Sequence, residues 1–220
     1  MKIGIFGGAF NPVHYGHLKT AEEVLRVLSL DKIIFVPAGS PPFNKPGLAE
    51  AGHRFEMVKA AIAGHPEFEA SDIELRREGK SYTIETVEKL AVEGVALFLI
   101  IGIDAFRDMP LWKETERLFS MVNVVVISRP GYSFAGLSSS PYLQRVSKNI
   151  LDELDRGERR VFALAASGEK ETILCKVVDV NVSSSHIREA ISRGMDTASL
   201  LPESVKSYII LHNLYKNNNN

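Results

Sequence analysis

Two histidines, His14 and His17, close a stretch that opens as an apolar run and passes through paired glycines: Lys-Ile-Gly-Ile-Phe-Gly-Gly-Ala-Phe-Asn-Pro-Val-His-Tyr-Gly-His, residues 2–17. At helical spacing i and i+3 share a face, so both imidazoles can address one anion at the start of a helix near Gly16. A strand over Ile3–Phe6, a turn at Gly7-Gly8 and a helix N-terminus together make an anion site. Glycine lets backbone N–H groups come close to a phosphate, and the helix dipole favours negative charge. Neither common phosphate loop is present: there is no G-x-G-x-x-G after the strand and no G-x-x-x-x-G-K-[ST]. Paired glycines alone also mark an ordinary tight turn, and two histidines could be half of a metal site. A zinc site needs three or four ligands, and the one cysteine, Cys175, is far along the chain. No metal ligand is therefore assigned.

A second constellation lies near the other end, Val182-Ser-Ser-Ser-His-Ile-Arg188. Serines at a helix start satisfy orphan N–H groups, which is reason enough for them. Arg188, about one turn in, adds a guanidinium suited to bidentate, charge-assisted contact with phosphate oxygens. Serine cap, free N–H groups and Arg188 together suit a polyphosphate.

The elements that must position these residues alternate. Ile3–Phe6 and Lys32–Val36 read as strands around a helix over Leu18–Leu28, with Leu18, Ala21, Leu25 and Leu28 inward. Strand, helix, strand in about 35 residues is a right-handed βαβ unit. Pro37–Gly47 is loop. Ala51–Ala63 reads as a helix with Phe55, Val58, Ala61 and Ile62 inward, and Phe68–Leu75 as a short strand and its exit. A helix over Thr83–Val92 takes Thr83 as its N-cap. Val95–Ile101, the most apolar strand, should be central and end at Gly102-Ile103-Asp104. Pro110 starts another helix, and Val122–Ile127 is the next strand. The signal weakens over residues 132–158. Arg160–Ala166 and Thr172–Val180 have strand character, Ile187–Ser192 reads as a capped helix and Val205–Leu214 as the last one. The pattern predicts an α/β fold: a Rossmann-like open parallel sheet with helices on both faces and a small helical C-terminal portion. One domain over 1–216 is expected, with the polar tail 217–220 disordered.

Composition bounds the function. The chain has 220 residues, 45% hydrophobic, and a formal net charge of −1. That is enough apolar material for a core, and it gives no electrostatic case for nucleic acid as a partner. One cysteine suits a reducing compartment. The N-terminus has no signal-peptide architecture and no run is long enough to span a membrane. A cytoplasmic protein acting on small molecules is expected, with homo-oligomerisation left open.

The first stretch resembles the G-[GT]-x-F-[DN]-P-x-H-x-G-H motif of the nucleotidyltransferase α/β phosphodiesterase superfamily, and Val182–Arg188 resembles its I-S-S-[TS]-x-[IV]-R motif. Three further stretches are similar to one family within it, the bacterial nicotinate mononucleotide adenylyltransferases. Ser81-Tyr82-Thr83, followed by Glu85-Thr86, resembles their G-x-S-Y-T-x-[DE]-T. Ile101-Gly102-Ile103-Asp104, with Phe106, Trp112 and Leu118, resembles their I-G-x-D-x-F…W…L. The close Leu201-Pro202…Val205…Tyr208-Ile209…Leu214-Tyr215 resembles their L-P-x-x-V-x-x-Y-I-x-x-x-x-L-Y. The chain departs from the family at Pro41-Pro42-Phe43-Asn44-Lys45, where P-P-H-K is usual, and at Asn11, where Asp is commoner.

The resemblance implies transfer of AMP from ATP to the 5′-phosphate of nicotinate mononucleotide, with Mg²⁺ accompanying ATP. It implies that His14 and His17 are catalytic, that Gly8, Ala9, Phe10, Ser183, Ser184 and Arg188 hold the ATP phosphates, and that Gly102 and Asp104 contact adenosine. Lys45, Ser81, Tyr82, Thr83 and Trp112 would hold nicotinate mononucleotide. For Trp112 a core role reads equally well from sequence. The alternatives are another adenylyltransferase of the superfamily, taking a phosphopantetheine or nicotinamide mononucleotide acceptor, or a non-catalytic nucleotide-binding protein.

Overall fold

The computed structural model describes residues 1–41, 47–166 and 169–216. Seven strands and eight α-helices occupy them: β1 (Lys2–Gly8), α1 (Tyr15–Val27), β2 (Lys32–Pro37), α2 (Ala51–Ile62), β3 (Phe68–Ala70), α3 (Thr83–Leu90), β4 (Ala96–Gly102), α4 (Ile103–Asp108), α5 (Thr115–Met121), β5 (Asn123–Ile127), α6 (Lys148–Arg156), β6 (Val161–Ala165), β7 (Glu171–Cys175), α7 (Ser184–Ser192) and α8 (Glu203–Leu211). Short 3-10 turns span Met109–Leu111 and Ala135–Leu137.

The strand order is β3-β2-β1-β4-β5-β7-β6. β1 pairs β4 in parallel from Lys2 opposite Ala96 to Phe6 opposite Ile100. β4 pairs β5, and β5 pairs β7, in the same sense. The fold is α/β with a mostly parallel sheet, as the βαβ pattern predicts. β4 is the middle strand and is buried from Leu97 to Ile101, as its continuous apolar run requires. The one departure is β6, which pairs β7 antiparallel, Val161 opposite Cys175. Only residues 166–170 separate β6 from β7, too few for a parallel crossover, so the pair closes as a hairpin.

The chain divides into two compact units, Met1–Phe6, Glu23–Lys32 and Tyr82–Asp179 in one, Gly7–Glu22, Ile33–Ser81 and Val180–Asn220 in the other. In the first unit the core is built on β4 and β5, with Ile100, Val124, Val125, Phe106 and Met109 wholly buried. In the second it is built on β2 and α2, with Ile33, Phe35, Met57 and Val58 wholly buried.

Several local expectations change. Leu18, Ala21 and Val24 form the buried stripe of α1, whereas Leu25 and Leu28 are only half-buried. In α2 the buried face is Arg54, Met57, Val58, Ala61 and Ile62. Phe55 is only half-buried, and that face instead includes the cation Arg54, whose partners are described below. Thr83 is the first residue of α3, not its cap; Tyr82 takes the cap position and gives no side-chain hydrogen bond. The residues after Gly102 form α4, which the sequence reading did not assign. Pro110 starts only a 3-10 turn, and α5 begins at Thr115 because Thr115 Oγ1 donates to the carbonyls of Met109 (2.7 Å) and Trp112 (3.1 Å). Of residues 132–158, the stretch 148–156 becomes α6. The tail 217–220 lies outside the described residues.

Candidate active site

The second unit carries the phosphate-type residues. β1 runs on through Gly7 and Gly8, so the paired glycines extend the strand and are not the turn. The turn residue is Phe10, with φ 46°. A non-glycine residue there is strained, and burial of the ring offsets it. Phe10 is buried, 5.0 Å from the His17 ring and 5.7 Å from the Phe35 ring between centroids. Gly8 has a packing role: a Cβ there would lie 3.3 Å from the Phe10 ring.

His14 and His17 meet face to face, with ring centroids 3.8 Å apart and planes 31° apart. His14 is buried and His17 half-buried. The His14 backbone N–H donates to His17 Nδ1 at 3.2 Å. In the neutral ring that leaves the proton on Nε2, so His17 offers Nε2–H as a donor. Gly16 is needed for this pair, since a Cβ would sit 2.9 Å from two atoms of the His14 ring.

α7 brings the second constellation to the first. Ser183 caps it, its Oγ accepting the His186 N–H at 3.2 Å. Ser184 Oγ donates to the Pro12 carbonyl at 3.0 Å, and Arg188 Nη1 donates to the Asn11 carbonyl at 2.9 Å. Two motifs separated by some 170 positions are thus tied together two to three residues before His14. Arg188 is half-buried.

Sequence reasoning missed Arg54. It is 1% exposed and donates to four carbonyls: Ala49 (2.9 Å, from Nε), Ala9 (2.8 Å, from Nη1), and Ala38 and Gly39 (2.6 and 3.2 Å, from Nη2). Burial lowers its pKa, opposed by Tyr215 and Glu74. It clips the loop after β1 to the loop after β2 and to the start of α2. The available signal was a cation in an apolar stripe, Arg54, Val58 and Ala61 lying at i, i+4 and i+7. Gly8 adds a further link, its carbonyl accepting the Ala38 N–H at 2.8 Å.

Among the residues expected to hold nicotinate mononucleotide, Ser81 belongs to this unit, where its N–H and Oγ bond the Ser40 carbonyl (2.9 Å) and N–H (3.1 Å). Lys45 lies outside the described residues.

The first unit carries the rest. Asp104, in the first turn of α4, pairs with Arg129 through Oδ2. Its Oδ1 is buried with no hydrogen-bond partner among the described residues. Gly102 leaves room for that carboxylate, as a Cβ would lie 2.5 Å from Oδ1. Tyr82 and Thr83 stand at the uncapped start of α3, where first-turn N–H groups lack intrahelical partners. Lys113, which the sequence reading did not use, lies 4.9 Å over the Tyr82 ring and 2.8 Å from Glu85 Oε1, so residue 113 joins α3 to the half-buried Trp112. Glu85, through its hydrogen bond, raises the Lys113 pKa.

The sequence profile described as cytidylyltransferase-like matches residues 5–190. The chain belongs to the cytidylyltransferase-like family. The profile takes in both histidines, Asp104, Trp112 and Arg188. A relative in Desulfatibacillum aliphaticivorans, named "Probable nicotinate-nucleotide adenylyltransferase", is 37% identical over 98% of this chain and 100% of its own. One of the same name in Syntrophotalea carbinolica is 37% identical over 98% of each chain. Among solved structures, the Plasmodium falciparum nicotinic acid mononucleotide adenylyltransferase complexed with NaAD superposes with a TM-score of 0.69 at 19% identity, over 97% of both chains. At that identity it shares the cytidylyltransferase-like fold. Among the described residues no helix is long and apolar enough to cross a membrane.

Proposed function

We propose that the chain is a nicotinate mononucleotide adenylyltransferase. The 5′-phosphate of nicotinate mononucleotide attacks the α-phosphorus of ATP in line. The bond from that phosphorus to the β-phosphate bridging oxygen breaks, and pyrophosphate leaves with the electron pair. The products are nicotinate adenine dinucleotide and pyrophosphate. The observation that carries the reading is that Ser184 and Arg188 of α7 bond the Pro12 and Asn11 carbonyls, two to three residues before the stacked pair His14 and His17. Full-length relatives bearing the name of this activity support it.

The attacking phosphate is already a nucleophile, so positioning and charge stabilisation suffice. His17 donates through Nε2 to phosphate oxygen, where negative charge develops. His14 and the backbone N–H groups of Gly8, Ala9 and Phe10 lie at the end of β1 and in the turn that follows it. Ser183, Ser184 and Arg188 hold the leaving pyrophosphate. His14, His17, Ser183, Ser184 and Arg188 supply imidazole, hydroxyl, amide and guanidinium groups, so the cluster suits an anion. Mg²⁺ would be held by ATP oxygens and water, and would neutralise phosphate charge there. The partnerless Oδ1 of Asp104 suits a donor from the adenosine, next to Gly102. The α3 N-terminus at Tyr82 and Thr83 suits the nicotinate carboxylate, and Trp112 offers an aromatic face for the pyridine ring. Ser81 and Lys45 complete the set for the mononucleotide. Residues 1–216 act as one nucleotidyltransferase domain, with small molecules as its partners.

Pyrophosphate release from MgATP, measured with nicotinate mononucleotide and in parallel with its amide, tests this. Release strongly favouring the acid is expected. Equal release would remove the carboxylate site, and no release with either acceptor would overturn the function.

A further inference from the structure

The last described turn of the chain reaches back to the first motif. After α8 the backbone enters the left-handed region twice at non-glycine residues, Asn213 (φ 51°) and Tyr215 (φ 62°). Such conformations persist only where surrounding contacts hold them. Here the holding contact is specific: Tyr215 Oη donates to Asn11 Oδ1 at 2.7 Å, across 204 positions. Burial pushes the Tyr215 hydroxyl up, so it stays protonated and remains a donor.

Asn11 is the point where this bond matters. Its Oδ1 also accepts the Ala49 N–H at 3.0 Å, and its Nδ2 donates to the Gly47 carbonyl at 2.8 Å. Its backbone carbonyl is the anchor of Arg188, at 2.9 Å, and the next carbonyl, of Pro12, is the anchor of Ser184, at 3.0 Å. An aspartate at this position would set a carboxylate oxygen against the Gly47 carbonyl, so the asparagine is matched to its surroundings. We propose that Tyr215 is a positioning residue for the nucleotide phosphates: by fixing Asn11 it fixes the carbonyls that aim Arg188 and Ser184. The inference rests on the adenylyl-transfer reading for what the phosphates are.

Tyr215→Phe removes the hydroxyl and keeps the ring. MgATP affinity without acceptor is measured by calorimetry, and KM for each substrate by initial rates. Loss of one positioning hydrogen bond is expected to weaken MgATP binding about three- to tenfold, with a matching rise in KM for ATP. KM for nicotinate mononucleotide stays unchanged. Tyr208→Phe is the control, since that hydroxyl bonds His53 Nδ1 at 3.0 Å on the neighbouring helix and not Asn11; its MgATP affinity stays at the wild-type level. Tyr215→Met, adaptable and lacking the hydroxyl, gives the same reading should Tyr215→Phe fold poorly. Wild-type affinity in the Tyr215 variants, or equal loss in Tyr208→Phe, would overturn the proposal. A wild-type protein that binds MgATP yet transfers nothing would overturn the function instead, and the affinity comparison would still decide Tyr215.

Discussion

Arg54 should be the most costly single polar residue in the second unit. Its guanidinium is buried and bonds four carbonyls from three segments. Each charge-assisted bond contributes about 1.5–3 kcal/mol net in isolation, but the four share one head group and do not add. Leaving a buried acceptor unpaired costs about 1–3 kcal/mol, and four that share one donor group together cost about 3–5 kcal/mol. Replacement by methionine falls in that range, because it leaves the Ala9, Ala38, Gly39 and Ala49 carbonyls facing an apolar side chain. Against a total stability of about 5–15 kcal/mol this is a large share. In a chain of this size each kcal/mol moves Tm by about 2–4 °C, so Arg54→Met should melt roughly 6–20 °C below wild type. Arg54→Lys should fall between, since one ammonium cannot span four acceptors in fixed positions. Circular dichroism melts give Tm, and pyrophosphate release well below the lower Tm gives turnover, which should also fall because Ala9 belongs to the phosphate turn. A Tm for Arg54→Met within about 2 °C of wild type, on the same per-kcal scale, would refute the clip.

Three other outcomes follow from the same geometry. His17→Ala should lose on the order of 10²–10³ in turnover at saturating substrates, and unchanged turnover would deny His17 its catalytic role. Gly39→Ala should melt far below wild type, because its Cβ would overlap the Glu74 carbonyl, while Gly7→Ala, with nothing within 4 Å, should melt at or slightly above it; equal melting of the two would contradict the packing at Gly39. Burial pushes the Cys175 thiol up to about 12, so at pH 8 the native protein should resist alkylation and yield its one thiol only in denaturant; rapid native labelling would show that β7 opens.

How much of this was legible in the chain depended on how local each signal is. The β4 and β5 runs announce buried parallel strands because every residue in them must be apolar. The Ser183 cap and the spacing of His14 and His17 are likewise readable within a few residues. The turn at Phe10 was not, because glycine is the usual sign of a left-handed position and here a buried ring holds one instead. Arg54 was not, because its acceptors come from residues 9, 38–39 and 49, which only the folded chain brings together. Asn11 passed as a tolerable exchange for aspartate, yet its amide both donates and accepts, which the sequence pattern cannot show. α4 was missed because no side chain caps it, and the hairpin of β6 with β7 was missed although Ser167-Gly168 between the two runs is a turn signal.

Arg54 and Arg188, both in the second unit, divide their work by how many donors they have left. A guanidinium offers five N–H groups. Arg54 directs four bonds at carbonyls and is almost wholly buried, so it has at most one donor for a ligand and no route to it. Among the described residues Arg188 commits Nη1 to Asn11 and makes only a long contact, 3.5 Å, from Nη2 to Ser185 Oγ, so most of its fork is left by them for an anion. A Cβ at Gly47, where φ is 69°, would lie 3.6 Å from Arg188 Nε, so the backbone also approaches the guanidinium from that side. On the proposed function, the charge that shapes the turn and the charge offered to the phosphate are therefore different residues. The first should register in Tm and the second in nucleotide affinity. That separation lets the two roles be measured independently in a site where His14 and His17 are tied to each other by two hydrogen bonds, from the His14 N–H to His17 Nδ1 and from the His17 N–H to the His14 carbonyl.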